Sequence, residues 1–185
     1  MNGFLKQLLS WVALIFVAWI ISLVIRLYVF DVRIVPTGSM LPTIQLNDRL
    51  IVDKLFCRFT AIQRGDVIVF RAPATAKLVD SDSDLVKRVI GLPGEKLAVH
   101  DGKVWINGAP LTEEYLTSPP SYTFEEIRIP ENCFFMMGDN RNSSNDSHEW
   151  GVLPAKNIAG RVFVRCWPAK SFGKLAGPGE EGYGL

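Results

Sequence analysis

From Leu8 to Ile25 the chain runs eighteen residues without a charge, apolar on every side of a helical projection. At the helical rise this run covers about 27 Å, close to the ~30 Å hydrocarbon core of a bilayer. Trp11 lies near one end and Tyr28 just beyond the other, while Lys6 and Arg26 flank the run with stems long enough to reach headgroups. The run is too long for the apolar region of a cleaved leader. The bulky Leu27-Tyr28-Val29-Phe30 that follows offers no small-x-small cleavage site. The pattern predicts a retained transmembrane anchor over 8–28, preceded by a short flank at 1–7.

After Phe30 the period changes to two. Arg49 to Val52, Asp66 to Phe70, Leu85 to Ile90, Lys96 to His100, Lys103 to Ile106, Glu126 to Ile129, Cys133 to Met137 and Arg161 to Arg165 read as strands. Gly65, Pro73, Gly91, Pro93-Gly94, Pro119-Pro120 and Pro130 punctuate them, and His100-Asp101-Gly102-Lys103 is a tight hairpin signal. No long amphipathic helix follows the anchor; Pro154 to Ile158 suits a single turn. The fold class is therefore mainly β, a barrel or sandwich-like domain over 29–172 carrying one N-terminal transmembrane helix. Within it, 107–125 reads as a small excursion from the main sheet, and the Gly-rich 173–185 as a flexible tail.

Composition narrows the function. The 20 basic residues nearly balance 19 acidic ones, and no basic run exceeds the Lys87-Arg88 pair, so no nucleic-acid partner is expected. The cysteines Cys57, Cys133 and Cys166 are far apart, and only His100 and His148 could join them, so no metal site and no cofactor is expected. The cysteines read as small buried hydrophobes.

The chemistry centres on Thr37-Gly38-Ser39-Met40-Leu41, a glycine-flanked serine just past the anchor. A serine hydroxyl needs a base within hydrogen-bond reach to become a nucleophile. Two bases compete. Lys87 alternates onto one strand face with Leu85 and Val89, where desolvation would lower its pKa toward that of a general base. His148, two residues after Asp146, could instead complete a Ser-His-Asp triad with Ser39.

Four segments, in order, resemble the boxes of the type I signal peptidases, membrane-anchored Ser-Lys endopeptidases. They are Val35-Pro36-Thr37-Gly38-Ser39-Met40-Leu41-Pro42-Thr43, Gly65-Asp66-Val67-Ile68-Val69-Phe70, Lys87-Arg88-Val89-Ile90-Gly91-Leu92-Pro93-Gly94-Glu95, and Gly138-Asp139-Asn140-Arg141 through Asp146-Ser147-His148-Glu149-Trp150-Gly151. The resemblance implies Ser39 as nucleophile, Lys87 as base, and the Ser39 N–H with the Thr37 hydroxyl as oxyanion donors. It further implies that Ser144 orients the Lys87 amine, Asp139 pairs with Arg88, Asp146 supports the site, and Met40 lines a small substrate pocket. Histidine at 148 stands where many members have arginine, as in members resembling the cyanobacterial and plastid type.

The same resemblance implies substrates: exported preproteins cut after Ala-x-Ala, bound in extended form with Asp31 to Val35 as one wall. It implies a single-pass protein of the cell or thylakoid membrane, its catalytic domain on the extracytoplasmic or lumenal side, working beside the translocation machinery. Two other readings stand against it. The self-cleaving repressors also use a Ser-Lys dyad but are soluble and carry a helix-turn-helix module, which this sequence lacks. A membrane-tethered β domain that binds without catalysis would leave Ser39 and Lys87 as turn and strand residues.

Overall fold

The computed structural model describes residues 3–55, 59–76, 84–173 and 175. Cys57 and most of the expected tail, residues 174 and 176–185, lie outside them. Helix α1 (Gly3–Tyr28) is 26 residues long, and its described side chains are exposed all round. With no Gly or Pro from Phe4 to Tyr28 to interrupt it, the apolar run forms one helix with no polar face. It is long and apolar enough to cross a membrane.

The rest is β. One antiparallel sheet comprises β1 (Phe30–Ile34), β2 (Arg49–Asp53), β3 (Val67–Arg71), β4 (Asp84–Gly91), β9 (Cys133–Met137), β10 (Leu153–Pro154) and β11 (Ile158–Trp167), in the order β1-β2-β11-β3-β4-β9-β10. A second sheet has the order β7-β6-β5-β8, from β5 (Lys96–His100), β6 (Lys103–Ile106), β7 (Ala109–Pro110) and β8 (Phe124–Arg128). The β5–β6 hairpin turns at Asp101 and Gly102, with φ of 52° and 69°, the positive pair that matches strand twist in a two-residue loop. Residues 107–125 thus contain β7 and the start of β8.

Alternation places three buried clusters. Ile90, Phe135 and Met137 of the large sheet pack against Leu97, Val99, Val104 and Ile106 of the small one, locking the two together. Ile68, Phe70, Val89, Met136 and Trp150 form a second cluster. Val35, Met40, Ile44, Leu50 and Val69 form a third, beneath the loop between β1 and β2. The strands β3 and β4 are buried on both faces, so they read as near-continuous apolar runs. A four-residue helix, α2 (Ser147–Trp150), follows the loop after β9, and Ala155–Asn157 form a single 3₁₀ turn. Cys133 and Cys166 are free thiols, each half-buried rather than sealed in the core.

Candidate active site

Three segments meet above the large sheet: the β1–β2 loop with Ser39, the middle of β4 with Lys87, and the loop that leaves β9. Because β9 pairs with β4 (Arg88 opposite Met137), the chain that continues past Met137 emerges beside Lys87 and Arg88. The β1–β2 loop is held from below by Met40, which is fully buried between Val35, Ile44 and Leu50. Met40 was expected at the substrate pocket. It packs in the apolar cluster beneath β2, next to Ser39 in the chain.

Ser39 is 8% exposed and Lys87 3%. The Lys87 amine donates to Ser39 Oγ at 2.5 Å, and Thr37 Oγ1 lies 3.3 Å from the same oxygen. Burial pushes the Lys87 amine down from 10.5 to about 8, against the pull of the Asp146 and Asp139 carboxylates in the other direction. The backbone N–H of Ser39 makes no hydrogen bond among the described residues.

The loop after β9 clamps Ser39. The Asn140 N–H donates to the Ser39 carbonyl at 3.0 Å, and Asn140 Nδ2 donates to the Gly38 carbonyl at 3.1 Å. Gly138 leaves no room for a side chain: a Cβ there would sit 2.3 Å from Ser144 Oγ and 2.4 Å from the Ser39 carbonyl oxygen. Ser144 follows the 3₁₀ turn Arg141–Ser143, and its hydroxyl is buried without a hydrogen-bond partner, Lys87 included.

Two carboxylates brace this loop. Asp139 grips Arg88 in a fully buried bidentate pair, with Nε–Oδ1 at 2.8 Å and Nη2–Oδ2 at 2.6 Å. Asp146, also sealed from solvent, caps α2. Its Oδ2 accepts the Gly138 N–H at 2.8 Å, and its Oδ1 accepts from His148 Nδ1 at 2.7 Å. That bond to Asp146 holds the His148 imidazole above its usual pKa, with the imidazole also stacked on Tyr122 at a ring distance of 4.3 Å. The second nitrogen of His148 faces Glu149 at 3.3 Å. Both nitrogens are therefore occupied by carboxylates, and neither reaches Ser39. The Asp-His half of a triad exists; the Ser-His half does not.

Sequence reasoning missed the residues of 107–125 that return to this loop. Glu113 accepts from Arg141 Nη1 at 2.7 Å and Nη2 at 2.5 Å, while Arg141 Nε reaches the Gly138 carbonyl at 3.2 Å. Tyr115 donates to Glu113 at 2.5 Å and lies flat under the Arg88 guanidinium, 4.0 Å from its centre. Ser121 donates twice to Asn142 Oδ1. Burial pushes the Tyr115 phenol far above its usual range. The only cue in the sequence was polar spacing inside a proline-rich loop, too weak to assign partners.

These features agree with known proteins. The signal peptidase, peptidase S26, family matches residues 8–167. The chain is 46% identical over 161 residues to a signal peptidase I of Leptolyngbya laminosa, covering 86% of this chain and 79% of that one. It is 43% identical over 166 residues to a probable signal peptidase I of Synechocystis sp., covering 89% and 85%. A probable thylakoidal processing peptidase of Arabidopsis thaliana chloroplasts is 37% identical over 175 residues, covering 90% of this chain and 47% of the plant protein. A mainly β body behind one apolar helix, a buried lysine on a serine, and matches of this extent lead to one conclusion: the chain belongs to the signal peptidase family, peptidase S26, among its type I signal peptidases.

Proposed function

We propose that the chain removes signal peptides from exported preproteins after small-x-small sites, with Ser39 as nucleophile and Lys87 as general base. The observation that carries this reading is the 2.5 Å contact between the Lys87 amine and Ser39 Oγ, in a site where the amine is buried and shifted to about 8. Near neutral pH a useful fraction of such an amine is unprotonated, and it takes the Ser39 proton as Oγ attacks the scissile carbonyl. The developing oxyanion is received by the unused Ser39 N–H and the Thr37 hydroxyl. The Lys87 ammonium then protonates the leaving amine. Once neutral again, it takes a proton from the water that attacks the acyl-enzyme, which frees Ser39.

Ser144 is the orienting group in this reading: a buried hydroxyl without a partner, beside Gly138, is free to accept from the amine once Lys87 turns from Ser39. Asp139, Arg88, Asp146 and His148 hold the loop rather than touch substrate. Small residues are preferred because the cleft is floored by packed core. The extended substrate lies along Asp31 to Val35, the edge strand of the large sheet, by β-addition. In this proposal α1 spans the bilayer with residues 1–7 cytoplasmic. The catalytic domain then stands on the extracytoplasmic or lumenal face, where translocated preproteins emerge from the export machinery.

Cleavage of an Ala-x-Ala preprotein by the full chain in detergent tests the assignment. Ser39→Ala and Lys87→Ala are expected to be inactive, while His148→Ala retains turnover. Activity surviving in Lys87→Ala and lost in His148→Ala would return the base role to histidine. Activity surviving in Ser39→Ala would mean the chain is not the protease.

A further inference from the structure

A groove of about 480 Å³ opens where the catalytic domain meets the end of α1, and the proposed catalysis uses none of its residues. Lys54 and Lys156 line it, with the Thr60 hydroxyl beside them and Ile62, Phe134 and Ile158 supplying an apolar floor; none of its described lining residues is acidic. Lys54 is pinned to the helix exit. Its backbone N–H donates to the Val29 carbonyl at 2.9 Å, and its amine donates to the Leu27 carbonyl at 3.5 Å.

That contact fixes the depth of the groove. Leu27 belongs to the last turn of the apolar helix, so an ammonium bonded to its carbonyl stands where a spanning helix leaves the hydrocarbon. Two exposed aromatics flank the groove in sequence: Tyr28 at the helix end, and Phe59, 82% exposed, directly before the lining residue Thr60. Aromatic rings beside a cation pair at a helix exit are what an interfacial site requires. Among the described residues Lys54 has one carboxylate partner, Asp31 at 3.4 Å, which Arg33 already engages at 3.0 Å. Lys156 makes no ion pair among the described residues.

We infer that this groove binds the phosphate headgroup of an anionic phospholipid, with Lys54, Lys156 and Thr60 on the phosphate and the apolar floor against the glycerol and upper acyl carbons. The inference rests on α1 spanning the bilayer and is independent of the catalytic assignment. A bound lipid here ties the domain to the membrane surface at a second point beside the helix.

The test titrates the full chain, in a zwitterionic detergent, with dioctanoyl-phosphatidylglycerol, reading the melting temperature. Dioctanoyl-phosphatidylcholine and inorganic phosphate serve as the other arms. Phosphatidylglycerol is expected to raise the melting temperature and phosphatidylcholine not to. Lys156→Gln, which breaks no internal bond, should weaken half-saturation about 5-fold, and Lys54→Gln with Lys156→Gln about 30-fold, at about 1 kcal/mol per lysine. The Lys54→Arg/Lys156→Arg pair should retain binding, and Lys103→Gln on β6 should titrate as wild type. Equal response to phosphatidylcholine, equal affinity for inorganic phosphate, or wild-type titration by both glutamine variants would overturn the site. Carbonate washing of the chain in phosphatidylcholine vesicles reads the span separately: retention supports it, and release removes the depth argument.

Discussion

Lys87→Met is the most informative single change, because the same burial that makes the amine a base makes it a burden on folding. Methionine has nearly the volume of lysine and no charge to desolvate. Moving an amine from 10.5 to about 8 corresponds to roughly 3 kcal/mol at 1.36 kcal/mol per tenfold. The sign follows from linkage. Between those two values the unfolded chain holds a proton that the native amine does not, so wild-type stability rises with pH across that window. Below it both states are charged and the whole cost is felt. At pH 6 the methionine variant should therefore be more stable by about 3 kcal/mol, or roughly 6–12 °C in melting temperature. By pH 9.5 the difference should shrink to less than half. Thermal melts of both full chains in detergent, followed by near-ultraviolet circular dichroism, measure this directly. A variant no more stable than wild type at pH 6, or a difference flat in pH, would refute the claim that Lys87 is buried at a cost. The same amine should give wild-type kcat/KM an acid limb near pH 8 with a slope of one proton.

Asp139→Ala strands a fully buried Arg88 and should cost about 3–5 kcal/mol in denaturant melts, whereas Arg88→Met with Asp139→Leu should recover most of it. Gly138→Ala drives a methyl into the Ser39 carbonyl. It should lower kcat/KM at least about 100-fold through displacement of the nucleophile while destabilising by only about 1–3 kcal/mol. Thr37→Val removes one oxyanion donor and should cost about 2.7–4 kcal/mol in kcat with KM little changed. His148 has a raised folded pKa, so its charged form stabilises the native state fully below about 6.5, and that contribution fades as pH rises through the folded value. His148→Gln should therefore melt well below wild type at pH 5.5 and approach it at pH 8.5; an unchanging gap would mean the imidazole acts by stacking alone.

Much of this was legible because the chain keeps its periods clean. Eighteen uncharged residues with no Gly or Pro announce one long apolar helix, which α1 is, and residues alternating from Arg49 to Val52 or from Lys96 to His100 report one buried face each. The region around Lys87 was harder. Alternation could put Arg88 on the face opposite Lys87 but could not show that β4 is buried on both sides; its sealed pairing with Asp139 was legible only through the family resemblance. Ser39 and Lys87 could be picked out by residue type and spacing. Asn140, Glu113, Tyr115 and Arg141 could not, because each acts through a partner fixed only by tertiary packing: Glu113 meets Arg141 across 28 positions, and Asn140 meets Gly38 across 102. The four-residue α2 is too short to carry any helical period.

The order β1-β2-β11-β3-β4 has a consequence in time. The proposed nucleophile Ser39 hangs between β1 and β2 and the proposed base Lys87 sits on β4, yet the strand that joins these two halves of the sheet, Ile158–Trp167, is the last of the described strands to leave the ribosome. Until it inserts, Ser39 and Lys87 belong to separate hairpins with an open slot between them. On the proposed assignment, a growing chain carries Ser39 without its base, and the site is armed only when β11 has been made. By the same logic, a chain cut before residue 158 should be inert, and a peptide of the final strand supplied separately should switch it on.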